Sequence, residues 1–294
     1  MKKIIVITGG AGFVGANLIR LLIQKTNYNI ICIDNYSSGS KKNHIKSKKI
    51  RYINDHTKNI SKILKNYKNN ISSLFHLGEF SRIYQSFLKM DECINSNIVG
   101  TNEVFNFCFK HKIKLIYSAT SATIGNNGAD KNLSPYAFTK AKNLEMLENL
   151  KKWYKFKFEI VYFYNVYGIR QVCTGSMATV IGIFEKQFES NRPLTVVRPG
   201  TQSRRFTHIN DTIKVCYQAW KKNKSRHYSI SNKKSYTIIE VAKLFKSKIK
   251  LMPSRRGERY ASALTNMNLS NKVYKIFGKH DLRDYIENII KKAR

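Results

Sequence analysis

The sequence predicts an α/β fold: a Rossmann-type doubly wound parallel sheet with a smaller mixed α/β substrate lobe. Three observations predict it. Lys2-Lys3-Ile4-Ile5-Val6-Ile7-Thr8 is a short apolar run that stops at a glycine cluster, Gly9-Gly10-Ala11-Gly12-Phe13-Val14-Gly15, and a helical pattern begins at once in Asn17-Leu18-Ile19-Arg20-Leu21-Leu22-Ile23. A second apolar run, Asn29-Ile30-Ile31-Cys32-Ile33, ends in an acid, Asp34, nineteen residues after Gly15. Strand and helix patterns then keep alternating through residue 165, as a parallel sheet covered on both faces requires.

The first strand, near 3–8, meets a turn in which each glycine has a mechanical task. One permits the sharp bend, one lets the backbone approach a pyrophosphate with no Cβ in the way, and one allows the helix over 13–25 to pack closely on the strand. Phosphates then meet the free N–H groups at that helix N-terminus. Asp34 closes the strand at 29–33, where a carboxylate accepts hydrogen bonds from a ribose diol and repels a 2′-phosphate, which favours NAD over NADP. The spacing is Gly-x-x-Gly-x-x-Gly, and the strand before and acid after give it its specificity. Further strands are expected near 50–54, 72–77, 113–118 and 157–163, with helices near 57–68, 91–111 and 135–154.

The fifth strand ends in Ser118-Ala119-Thr120-Ser121-Ala122-Thr123, small hydroxyl-rich residues at the sheet end that faces a ligand crevice. Ser134-Pro135-Tyr136 then opens a helix, with Ser134 as N-cap and Pro135 in the first turn. Tyr136 and Lys140 are four apart and share a helix face. A phenol has a pKa near 10, and an adjacent ammonium favours its phenolate, so Tyr136 can take a proton from a hydroxyl while Thr120 holds the oxygen. After Gly168 the alternation weakens: helices are expected at 177–190, 210–222, 236–245 and 281–292, and a strand at 194–198. We therefore expect a dinucleotide-binding domain over 1–165, with a return segment near 206–230, and a smaller lobe over 166–294.

The 294 residues suffice for one large domain or two unequal ones. No apolar run approaches the roughly 18 residues that cross a bilayer. The N-terminal apolar stretch is too short for a secretory leader, so a cytoplasmic protein without membrane insertion is expected. Cys32, Cys93, Cys108, Cys173 and Cys216 are scattered with no Cys-x-x-Cys pair, which argues against disulfides and a metal site; Cys173 alone lies in a polar loop. The net charge of +35 attracts anions, yet the lysines are spread along the whole chain rather than gathered in an aromatic-interleaved stripe. Lys, Asn and Ile are abundant together, the bias an AT-rich genome imposes, and no specific nucleic-acid partner is expected.

These motifs resemble, in order, those of the extended short-chain dehydrogenase/reductases, in particular the NAD-dependent nucleotide-sugar epimerase/dehydratase family. The residues that carry the resemblance are Thr8–Gly15, Asp34-Asn35, Phe75-His76-Leu77-Gly78, Asn97-Ile98-Val99-Gly100-Thr101, Ser134-Pro135-Tyr136-Ala137-Phe138-Thr139-Lys140, Tyr164-Asn165-Val166-Tyr167-Gly168 and Arg204-Arg205-Phe206-Thr207-His208-Ile209-Asn210-Asp211. The resemblance implies Thr120, Tyr136 and Lys140 as catalytic residues. It implies that Gly9, Gly12, Phe13, Val14, Gly15, Asp34, Asn35, Asp55, Leu77, Gly78 and Asn97 bind NAD together with Tyr136 and Lys140. Asn165, Arg204 and Arg256 are implied substrate contacts, the arginines suited to a diphosphate. His76 and His208 read as packing residues. A homodimer through the helices near 91–111 and 135–154 is implied as well.

Family 4,6-dehydratases place Asp-Glu after the catalytic threonine, whereas Thr120 is followed by Ser121-Ala122, which disfavours dehydration. Gly175-Ser176-Met177-Ala178-Thr179 resembles a segment of ADP-heptose 6-epimerases, but Thr174 stands where those enzymes carry a second basic lysine. The leading expectation is an NAD-dependent epimerase of a nucleotide-diphosphate sugar, acting at C4. The alternatives are a 4,6-dehydratase or sugar-nucleotide oxidoreductase and, in another class, a non-catalytic NAD- or nucleic-acid-binding protein.

Overall fold

The computed structural model describes residues 3–257 and 273–293. β1 (Ile4–Thr8) is buried at all five positions, because an unbroken run of β-branched residues suits a strand covered on both faces. It is followed by α1 (Phe13–Lys25), β2 (Asn29–Asp34), β3 (Ile50–Asn54), α2 (Ile60–Ile63) and β4 (Ile71–His76). Next come α3 (Ile83–Leu88), α4 (Met90–Ile94), α5 (Thr101–Lys110), β5 (Lys114–Thr120), α6 (Pro135–Tyr154) and β6 (Phe158–Phe163).

The expected fold is present, with two local differences in its first half. The helix expected over 57–68 shrinks to a single turn at α2, since Ile60 and Leu64 are its fully buried anchors and the Lys-Asn-rich stretch beyond them has little to pack. The helix expected over 91–111 is interrupted between α4 and α5 by a wider π-helical turn, Asn95–Gly100. There Gly100 comes so close to the 57–59 turn that a Cβ would stand 2.2 Å from Thr57 Oγ1, and Asn97 points inward.

The later half contributes β7 (Val166–Tyr167), α7 (Val180–Glu189), β8 (Leu194–Val197), β9 (Ser203–Arg205), β10 (Thr207–His208), α8 (Ile209–Lys222) and β11 (His227–Ser231). It ends with β12 (Ser235–Thr237), α9 (Ile238–Leu244), β13 (Ile249–Met252), β14 (Val273–Phe277) and α10 (Leu282–Ala293). Two of these strands enter the main sheet, which runs β14-β11-β6-β5-β4-β1-β2-β3, parallel throughout. β11 escapes apolar-pattern reading because serines fill two of its four buried positions: Ser229 is shielded by packing, and its hydroxyl donates to Tyr164 OH at 3.1 Å. The remaining short strands pair as β7 with β10, β9 with β12 and β8 with β13.

The larger apolar clusters among the described residues follow from this layering. Val104, Phe105 and Leu147 of α5 and α6 cover one sheet face, and Leu18, Leu22, Ile213 and Cys216 of α1 and α8 cover the other. Phe184, Val241, Phe245 and Ile286 join α7, α9 and α10 in a separate cluster. β1 sits between β4 and β2, so the chain reverses direction across the sheet there, and the carboxyl ends of β1 and β4 open a crevice. Among the described residues no helix is long and apolar enough to cross a membrane.

Candidate active site

A cleft of about 510 Å³ lies over the carboxyl ends of β1, β2, β4 and β5. At one end the backbone turns at Gly9 with φ +69°, and a Cβ there would sit 2.8 Å from the backbone of Gly78, which follows β4. A Cβ on Gly15 would stand 2.2 Å from Gly9 O, so the strand and α1 touch only because no side chain intervenes. Gly12 is different, since its Cβ would meet only Gly9 O at 3.2 Å. It caps α1 without any side-chain hydrogen bond and lines the cleft with Phe13, Val14 and Gly15. Bare helix amides in front of a glycine that the fold itself scarcely needs are a fit for a pyrophosphate.

Asp34 is buried beside this turn, its Oδ2 accepting from Ala11 N at 2.9 Å and its Oδ1 from Tyr36 N at 2.8 Å. Burial raises its pKa, and the N–H donors of Tyr36, Ala11 and Gly12 oppose that rise. Asn35 and Asp55 line the same end, and Asp55 Oδ1 accepts from Asn59 Nδ2 at 2.7 Å. Leu77 and Gly78 form the opposite wall, their N–H groups donating to Thr8 Oγ1 at 3.2 and 3.0 Å. These residues fit NAD: Asp34 would meet its adenosine ribose and the first amides of α1 its pyrophosphate.

At the centre, β5 delivers Thr120 and α6 delivers Tyr136 and Lys140 to the same cleft. α6 starts as its sequence implies: Ser134 Oγ accepts from Ala137 N at 3.1 Å and Pro135 occupies the first turn. Lys140 is buried, and its ammonium donates to Ser118 O at 2.6 Å and to Glu79 Oε2 in a short ion pair. Burial lowers the lysine pKa and Glu79 opposes that fall. Glu79 Oε1 accepts from Tyr117 OH at 3.0 Å, Thr101 Oγ1 at 3.1 Å and Asn143 Nδ2 at 3.2 Å.

His76 is fully buried below this group, and burial pushes its pKa down to about 4. Its Nδ1 lies 2.7 Å from Thr8 Oγ1 and its Nε2 2.9 Å from Thr101 Oγ1. Because Thr101 donates to Glu79, it accepts from Nε2–H, which assigns the tautomer. His208 caps α8, accepting from Asn210 N at 3.3 Å, and its ring stacks on His280 at 4.4 Å. Both histidines have packing and capping contacts away from the cleft wall.

Toward the lobe, Asn165 and Arg204 line the cleft, and Asn165 Nδ2 donates to Arg205 O at 2.9 Å. Two implied site residues lie elsewhere. Asn97 has no exposure, and its amide clamps Phe80 instead, Oδ1 accepting from Phe80 N at 2.7 Å and Nδ2 donating to Phe80 O at 3.1 Å. The Arg256 guanidinium rests on the Phe87 ring at 4.9 Å, while its neighbour Arg255 lines the cleft, 5.3 Å from the Tyr84 ring. Cys173 donates to Gln171 O at 3.4 Å, and burial raises its pKa, so its thiol is not activated.

The model of the NAD dependent epimerase/dehydratase family matches residues 5–231. The chain belongs to that family. It is 28% identical to the ADP-L-glycero-D-manno-heptose-6-epimerase of Brachyspira hyodysenteriae, over 82% of this chain and 80% of that protein. It is 26% identical to a putative UDP-glucose 4-epimerase of Methanocaldococcus jannaschii, over 93% of this chain and 88% of that one. The crystal structure of a UDP-glucose 4-epimerase from Thermotoga maritima, solved with UDP-glucose, superposes with a TM-score of 0.86 at 22% identity, covering 98% of this chain and 97% of that chain.

Two cleft residues of this epimerase/dehydratase family member escape sequence reasoning, Glu79 and Arg82. Arg82 donates to Met177 O from Nε at 3.0 Å and Nη2 at 2.6 Å, and to Ser81 O from Nη1 at 2.9 Å. A Glu and an Arg in the loop just past the carboxyl end of β4 were the available signal, since charges there face the crevice.

Proposed function

We propose that the protein is an NAD-dependent epimerase of a nucleotide-diphosphate sugar, inverting C4 through a transient keto-sugar. The observation that carries this reading is the convergence of Thr120, Tyr136 and Lys140 on one cleft with the glycine turn. Bound NAD supplies a hydride acceptor that returns the same hydride. Tyr136, as phenolate, takes the proton of the sugar hydroxyl when the carbon loses hydride and gives it back when the opposite face regains it. Thr120 orients the sugar oxygen. Lys140, anchored to Ser118 O and Glu79, would hold the nicotinamide ribose.

The part of 166–294 that lies outside the main sheet is proposed to bind the nucleotide sugar together with the end of β6, Arg204 meeting its diphosphate and Asn165 its sugar. Arg255 replaces Arg256 as the second phosphate contact in this reading. Elimination of water would require an acid for the leaving hydroxyl. Ser121 and Ala122 follow Thr120, and the carboxylate in the central part of the cleft, Glu79, is held by Lys140, Thr101, Tyr117 and Asn143. Inversion without elimination is therefore favoured over a 4,6-dehydratase.

The test is turnover of UDP-glucose and other nucleotide hexoses without added reductant. Tyr136→Phe is expected to lower kcat by roughly 100- to 10,000-fold while NAD binding, followed by calorimetry, stays within about twofold. Full activity of that variant would remove the assigned base, and accumulation of a 4-keto-6-deoxy sugar would replace the epimerase by a dehydratase.

A further inference from the structure

The net charge is spread along the sequence, but the topology gathers a large part of it at one end of the fold. All strands of the main sheet run parallel, so the connections that lead into them meet at the end opposite the cleft. Six stretches form this end, 25–28, 47–49, 64–70, 110–113, 151–157 and 221–226, leading into β2, β3, β4, β5, β6 and β11. Neighbouring stretches meet: Lys49 Nζ lies 3.5 Å from Thr26 O, and Lys151 Nζ 3.4 Å from Ser225 O. Fifteen of their 31 residues are Lys or Arg, and none is Asp or Glu. None of them lines the cleft.

A lysine-rich composition would load every connection alike, and it does not. On the cleft side, the connections after β3, β4 and β5, 55–59, 77–82 and 121–134, balance Lys58, Arg82 and Lys131 against Asp55, Glu79 and Asp130. The contrast lies within one chain, so genomic bias does not account for it. Helix dipoles account for part, because α1, α5, α6 and α8 end here and a cation in a last turn is favourable. Six of the fifteen cations stand in those last turns, and the other nine have no such role.

Carboxylates close to this end are already engaged. Glu159 is fully buried and accepts from Ser225 N and Arg226 N at 2.8 and 2.9 Å, with Lys114 Nζ 3.7 Å away, and Glu148 lies 2.7 Å from His227 Nε2. Tyr154 and Tyr274 are 58% and 49% exposed beside the lysines, and Lys222 Nζ stands 6.0 Å from the Tyr274 ring.

The partner that fits such a face is broad, polyanionic and met by charge density. The face spans seven neighbouring strands, about 30 Å. Fourteen of its fifteen cations are lysines, point charges without the forked donors by which arginine reads phosphates and bases of nucleic acids. Tyrosine rings, apolar in body and polar at the tip, suit the headgroup layer of a bilayer. We propose that this end of the fold docks on an anionic lipid bilayer, with the cleft on the far side from the membrane. The attachment is peripheral, made by surface lysines and ring edges, and is independent of the reaction carried out in the cleft.

Co-sedimentation of the full chain with large unilamellar vesicles tests this. At about 0.15 M salt, phosphatidylcholine vesicles containing about one third phosphatidylserine are expected to bind it about tenfold or more tighter than phosphatidylcholine alone. The triple variant Lys152→Glu, Lys157→Glu, Lys224→Glu is expected to weaken that binding by about thirtyfold or more. A charge-matched triple beside the glycine turn and the 121–134 connection, Lys41→Glu, Lys42→Glu, Lys131→Glu, should weaken it by less than about threefold. Both triples change exposed side chains only. The proposal is overturned if phosphatidylserine adds no binding, if the two triples weaken it equally, or if poly(U) RNA in place of the vesicles binds more tightly and loses affinity in the first triple alone.

Discussion

His76, Thr101 and Glu79 form a continuous hydrogen-bonded line beneath the cleft, running from Thr8 at the end of β1 to the ammonium of Lys140. Its proton positions are mutually determined, because Thr8 accepts from Leu77 and Gly78 and must donate to His76. The histidine has to stay neutral for this line to persist. Its folded pKa of about 4 lies below the unfolded value of 6.5, so unfolding takes up a proton between those two values. Stability is therefore retained above pH 6.5 and lost as the pH falls toward 4. From pH 7 to pH 5 the loss assigned to this group is about 2 kcal/mol. Urea unfolding at the two pH values checks it: wild type should lose about that much more than His76→Asn, and equal losses would remove His76 as the source.

At the scale of elements, the glycine turn separates two roles that the motif alone merges. Gly15→Ala would drive a Cβ to 2.2 Å from Gly9 O and 2.6 Å from Gly10 Cα, between strand and helix. We expect it to cost about 3 kcal/mol of stability. Gly12→Ala meets one atom at 3.2 Å and should change stability by less than about 1 kcal/mol, yet weaken NAD binding at least tenfold because the new methyl group occupies the pyrophosphate path. Thermal unfolding and NAD calorimetry on the two variants separate these effects, and equal destabilisation by both would refute the division. The turn, Asp34 and the Ser134 cap were legible because each is a local pattern with a local cause. β11 was not, since Ser229 and Ser231 are buried by tertiary packing that no alternation announces. The partners of Glu79 come from β5, α5 and α6, so its role is visible only once those elements meet.

For the molecule as a whole, half of the large exposed apolar side chains among the described residues lie on the stretches that the family resemblance assigns to a dimer contact. Trp153, Met146 and Phe138 of α6 and Val99 and Phe109 around α5 are all exposed. We propose that these helices pair with their copies in a homodimer. Sedimentation equilibrium should give a dimer, and Met146→Glu should weaken it at least tenfold; a monomer at micromolar concentration would contradict the pairing. The charge of +35 is spread along the chain, a distribution that attracts anions in general, and on the proposed reading the cleft residues select the nucleotide among them. On the proposed mechanism, the hydrogen on the inverted carbon leaves as hydride and returns without meeting solvent. Turnover of a nucleotide hexose in D2O decides it: the expected epimer carries no deuterium on the inverted carbon, and one deuterium per turnover at that carbon would rule out hydride return.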